Sequence, residues 1–178
     1  MANATTFTDE EIETVNDAVA RAEEVVSEAF KMSSSQWLRY RYDVRTRAQL
    51  TAEEVVQGPF AQVIRYQGQR LGTSLGSGSY DFYKICLQDH AILAALGRHP
   101  DLRLFPFVLY IGVHELIHVV RFGYFLQRFV ATAEEMMAEE TRVHRLTREI
   151  VHPLPESGIG AVLDFFAHWH SPIDGLIQ

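Results

Sequence analysis

The chain is short of cysteine, of basic charge and of uninterrupted apolar runs, and each shortage removes a class of protein. A single cysteine, Cys86, among 178 residues permits no internal disulfide and no cysteine-rich zinc site. Sixteen Lys and Arg against 23 Asp and Glu leave a formal net charge of -7. That is the wrong sign for a broad nucleic-acid surface, which needs clustered cations to neutralise phosphates, so no nucleic-acid partner is expected. The local exception is Arg39, Arg41, Arg45 and Arg47, whose alternation reads as the solvated face of a strand. The longest apolar stretch, Phe105 to Val120, carries His and Glu in its middle and does not read as a membrane span. "MANATTFTDEEIETV" lacks the basic and apolar regions of a signal peptide. The expectation is a cytoplasmic protein with no membrane partner.

What is present suits an ordered globule. Hydrophobic residues make up 47% and charged residues 22%, outside the range of disordered chains. The length fits one domain with a sizeable core, and no internal repeat or boundary divides residues 1–178.

Helix and strand signals alternate along it. Thr8 with Glu11 forms a capping box ahead of Ile12, Val15, Val19, Ala22, Val26, Ala29 and Phe30 at helical spacing, and "MSSSQ" ends that helix. "WLRYRYDVR" alternates Leu38, Tyr40, Tyr42 and Val44 against charged residues, the period of a half-buried strand. A second capping box, Thr51 and Glu54, predicts a short helix stopped by Gly58-Pro59. "FAQVIRYQG" and "YDFYKICL" read as further strands around the loop "GQRLGTSLGSGS", which matches neither glycine-rich phosphate motif. "QDHAILAALG" predicts a helix with Gly97 as its C-cap. From Phe105 to Val130 apolar residues occupy every side of a predicted helix, the pattern of a buried one. A third capping box, Thr132 with Glu135, opens a helix to about Ile150, closed by Pro153 and Pro155, and "GAVLDFFAHWHSPIDGL" predicts one last short helix.

The chemistry concentrates in "IGVHELIHVVRFGYF", residues 111–125. Residues four apart on a helix differ by about 40°, so His114 and His118 project from one face and can share one metal ion. Glu115, about 100° round from His114, is placed to take a proton from a metal-activated water. A buried charged triplet is costly unless something satisfies it. This H-E-x-x-H pattern resembles the zincin metallopeptidases. The resemblance covers "HELIH" and, loosely, about forty residues after it. It implies an α+β, predominantly helical domain with a small sheet and a buried HExxH helix, followed by a helix carrying a further ligand. It also implies zinc, a peptide or small-molecule substrate, and hydrolysis of an amide bond.

Two arguments place the remaining ligands differently. The gluzincin branch draws its ligand from an N-E-x-x-A-D-like motif, which "EEMMAE" approximates with Glu135 at the ligand position and Glu134 in place of asparagine. Geometry points elsewhere. A helix unbroken from His118 to Val130 rises about 18 Å, so residues at a matching distance beyond the turn face the histidines. Gly123 alone does not end a helix. A helical hairpin with Glu140 and His144 completing the site is therefore preferred, with Glu139 next and Glu135 third. Three protein ligands would leave a position for water, whereas His114, His118, Glu140 and His144 together would suit a structural zinc or an iron or manganese centre. Under the second alternative the chain binds metal without peptidase activity. The Glu115-x-x-His118 motif of carboxylate bundles is matched only in part, since Glu140-x-x-x-His144 has another spacing.

Other polar residues take plainer roles. His168 and His170 point to different faces of a helix. His90, His99 and His152 sit at element ends, and Cys86 reads as a small core residue. Arg121 is expected to pair with a nearby carboxylate.

Overall fold

The computed structural model describes residues 6–38, 40–69, 79–124 and 131–168. They form an α+β fold, mostly helical, with six α-helices and one three-stranded mixed sheet among the described residues. Helix α1, Asp9–Ala29, starts at the expected capping box, in which the Thr8 amide donates to Glu11 at 2.8 Å and the Glu11 amide to the Thr8 hydroxyl at 3.2 Å. Its apolar stripe buries Val15, Ala18, Ala22, Val25 and Val26.

The strand expected from Trp37 to Arg45 is shorter than its alternation suggests. Ser33 and Gln36 make another capping box and wind Ser34–Trp37 into a helical turn, α2. The Trp37 indole donates to the Ser27 hydroxyl at 2.7 Å, which ties this turn to α1 and leaves Leu38 exposed. Strand β1 is only Tyr42–Arg45, where Arg45 pairs with Asp43. Arg39 lies outside the described residues.

Strands β2, Ala61–Gln69, and β3, Ser79–Leu87, pair antiparallel with Val63 opposite Ile85, while β1 adds to β3 in parallel. The order β1-β3-β2 leaves β3 central. Successive side chains alternate between faces. Ala61, Val63, Tyr83, Ile85 and Leu87 join the main core, and Gln62, Ile64, Lys84 and Cys86 lie on the other face. The segment after β1 covers that second face. Its Thr51–Glu54 capping box forms a 3-10 turn over Ala52–Glu54, and Glu54, buried, takes Lys84 Nζ at 2.8 Å on both oxygens and Tyr66 Oη at 2.7 Å. The glycine-rich loop lies outside the described residues over 70–78.

Helix α3, Asp89–Arg98, runs one residue past Gly97, with His99 as its cap. The Asp89 carboxylate accepts the backbone amides of Phe7 at 3.0 Å and Arg47 at 2.9 Å, joining three segments at one buried point. Helix α4, Leu104–Gly123, is buried from Pro106 to Phe122. It has the length and hydropathy of a membrane span, yet 89% of its most apolar window is enclosed by the rest of the fold. Helix α5, Ala133–Val151, opens at the expected Thr132–Glu135 box, and α6, Ile159–Ala167, packs its Phe166 ring on Phe107 and Tyr110.

The expectation of a helix unbroken through Gly123 is corrected. Gly123 is the last residue of α4, and Tyr124 caps it by donating to Val120. A Cβ at Gly123 would fall inside the Tyr40 ring, so glycine here serves the close approach of Tyr40. Residues 125–130 lie outside the described part.

Candidate metal centre

Helices α4 and α5 pair so that the start of one faces the end of the other. Tyr110 meets His144, His114 meets Glu140, and Arg121 meets Glu139. The last pair is buried and held by two hydrogen bonds, with Arg142 also on Glu139 at 2.8 Å. It fixes the register of α5 one residue before Glu140.

Two imidazole nitrogens and the two oxygens of one carboxylate converge beside it. His114 Nε2 lies 3.2 Å from His118 Nε2 and 2.9 Å from Glu140 Oε1, and His118 Nε2 lies 3.3 Å from Glu140 Oε2. Ligands at 2.0–2.1 Å from a tetrahedral ion stand about 3.3 Å apart, so these separations suit neighbouring donors around one ion. Without an ion, one proton between the imidazoles leaves a nitrogen lone pair facing the carboxylate, and a second proton is needed to satisfy it. One divalent cation satisfies all three donors at once. The residues therefore fit a metal on their own chemistry, and a His₂-carboxylate set suits zinc and non-haem iron alike.

The electrostatics agree with that geometry. Burial opposes ionisation of Glu140, but the imidazoles of His114 and His118 outweigh it and hold its carboxyl well below the usual carboxylate range. His144 Nε2 stands 3.5 Å from Glu140 Oε1. Burial and the neighbouring His114 push His144 down to about 4, so its ring is neutral near pH 7. Both histidines of the HELIH motif are fully enclosed, whereas the Glu140 and His144 side chains are 17% and 23% exposed. The solvent side of the cluster is therefore the α5 side. Glu115 is completely buried on α4, next in sequence to His114.

The hairpin reading places its residues together, since His114, His118 and Glu140 form the cluster and His144 adjoins it. Glu139 belongs to Arg121. Glu135 caps α5, its carboxylate accepting the Thr132 amide at 2.9 Å, and takes no part. Tyr110 ends the aromatic-rich run "FPFVLY", which reads in sequence as core packing and not as part of a site, although it stands four residues before His114. Its hydroxyl lies 3.2 Å from His144 Nδ1, and its ring stacks on Phe166 at 4.1 Å. Cys86 is buried, which pushes its thiol up to about 12, and it plays no part in the site. His168 lies at the end of α6, and His170 is outside the described residues. No protein-family model, curated protein or solved structure matches the chain.

Proposed function

We propose that this chain is a metal-dependent hydrolase of the zincin-like kind, binding one ion, zinc first, through His114, His118 and Glu140 and cleaving amide bonds. The observation that carries the reading is the convergence of His114 Nε2, His118 Nε2 and the Glu140 carboxylate, with the two nitrogens 3.2 Å apart and each facing one carboxylate oxygen, at 2.9 and 3.3 Å. Two imidazoles and one carboxylate make the donor set of hydrolytic zinc sites that keep a fourth position open. A bound ion would supply Lewis-acid polarisation and an activated water near neutral pH. Glu115, buried and next in sequence to His114, would accept the proton of that water and pass it to the leaving amine. The Arg121–Glu139 pair would hold Glu140 in place by fixing α5 against α4.

A second reading is favoured by His144. With its Nε2 3.5 Å from Glu140, it would become a fourth donor, and the centre would then be a structural zinc or an iron or manganese site without peptidase activity.

Elemental analysis of protein purified without chelator tests the core of both. One ion per chain is expected, lost in His118→Ala and Glu140→Ala. Glu115→Gln should keep the ion and lower turnover of fluorogenic peptides by roughly 10²–10⁴-fold. A chain that carries no ion, and whose folding ignores added zinc, would sink the proposal.

A further inference from the structure

We propose that Tyr110 keeps the metal shell open by holding His144 in the tautomer that cannot coordinate. The inference rests on the metal-binding reading above and concerns how many donors that shell has.

Two tautomers of His144 fit its hydrogen bond to Tyr110 and its 3.5 Å approach to Glu140. In one, the phenol O–H donates to Nδ1, the ring proton sits on Nε2, and Nε2–H points at Glu140 Oε1. In the other, Nδ1–H donates to the phenol oxygen and the Nε2 lone pair faces Glu140. The distances, 3.2 Å at Nδ1 and 3.5 Å at Nε2, are the same for both. The surroundings of the phenol decide between them. Tyr110 is buried on α4, with its ring stacked on Phe166 at 4.1 Å and 7° between planes. The contact recorded for its hydroxyl is His144 Nδ1.

In the second arrangement the phenol proton would be left without that acceptor inside an aromatic wall, a costly state for a buried donor. It would also set an imidazole lone pair against a carboxylate. The first arrangement satisfies the phenol proton and turns Nε2–H, not a lone pair, toward the carboxylate. An imidazole carrying a proton on Nε2 has no lone pair there to give a metal, so His144 would present N–H to the site and stay outside the shell. In this account Tyr110 is a positioning residue, acting through the tautomer that the partner of the other ring nitrogen imposes. Phe166 is its support, since the stacked ring from α6 holds the hydroxyl at Nδ1.

Removing the hydroxyl frees Nδ1 and allows the ring to turn its Nε2 lone pair on the ion. In Tyr110→Phe, His144 should therefore enter the shell. The test uses the full chain with zinc and with cobalt as a spectroscopic stand-in. In wild type, His144→Ala should leave one zinc per chain and change zinc affinity by less than about threefold, whereas in the Tyr110→Phe background the same change should weaken binding at least about tenfold. The cobalt d–d spectrum should change in position and intensity in Tyr110→Phe, and that change should vanish in the double variant. Long-range ¹H–¹⁵N spectra should place the His144 ring proton on Nε2 in wild type, with or without metal, and this reading is unaffected if a variant folds poorly.

Loss of zinc in His144→Ala, or a His144 proton on Nδ1 in wild type, would overturn this inference while leaving the metal site standing. A wild-type chain that takes up neither ion would overturn the proposed function and this inference with it.

Discussion

Glu54 shows how a buried carboxylate far from the candidate centre carries a measurable share of the stability. Burial alone would raise its pKa, but Lys84, the Thr51 amide and the Tyr66 hydroxyl outweigh burial and hold it at about 2 against an ordinary 4.5. A folded-state value below the unfolded one means that the unfolded chain takes up the proton first. The contribution is therefore complete above the ordinary value and is lost as pH falls from about 4.5 towards 2. Glu54→Gln should lower stability near pH 7 by on the order of 2 kcal/mol, since it leaves the partly buried Lys84 without a counter-charge. Urea midpoints for both proteins should converge between pH 5 and pH 2. A gap that stays constant across that interval would show that the ion pair contributes nothing to the difference. At this scale the sequence is a poor guide to partners. Glu54 is legible as a capping residue, which it is, but its contact with Lys84, 30 positions on, depends on how the segment folds over the sheet.

Helices are more legible than strands here because their signals are local. The capping boxes at Thr8 and Thr132 open α1 and α5 where the residues say they should. The alternation of Leu38, Tyr40, Tyr42 and Val44 misleads over its first half, because the Ser33–Gln36 box and the Trp37–Ser27 bond win locally. Counting residues about the turn points to Glu140 and His144, which do lie near HELIH, although the count assumes a helix unbroken to Val130 and α4 ends at Gly123. The need for glycine at position 123 is not legible in this way, since it comes from the close approach of Tyr40, distant in sequence. Tertiary contact also decides the role of Gly112. A Cβ there would stand 3.0 Å from the Ala22 Cβ of α1, where these two helices pack. Gly112→Ala should gain about 1 kcal/mol in helix propensity yet lower stability overall by about 1–2 kcal/mol, because the crowded contact pushes α1 off α4. The companion change Ala22→Gly should cost about 1 kcal/mol alone and markedly less beside Gly112→Ala. Strictly additive thermal shifts in the double variant would mean that the two positions do not press on each other.

At the scale of the whole molecule, the elements differ in what ties them down. Helix α4 is enclosed by α1, the sheet, α5 and α6, and its apolar surface is buried on every side. Helix α5 buries only Glu139, Val143, Thr147 and Val151 outright, and two of those four are polar. Its attachment therefore leans on Arg121–Glu139 and on the meeting of Glu140 with the two histidines. If the proposed centre holds an ion between α4 and α5, that ion would bind the native chain in preference to the unfolded one and raise stability by mass action. The added protection should be uneven. Segments that open locally, below the free energy of global unfolding, respond first to a ligand that clamps them. Removing metal with a chelator should lower the melting temperature, and hydrogen exchange should speed up across residues 133–151 while α1 and the described parts of β2 and β3 change little. Arg121→Met should reproduce part of that pattern with metal present, because it loosens the same helix by its other tie. Faster exchange spread evenly over the chain would place the ion's effect on global unfolding. Exchange unchanged by the chelator in α5, in protein shown to have lost its metal, would mean that packing alone holds the hairpin closed.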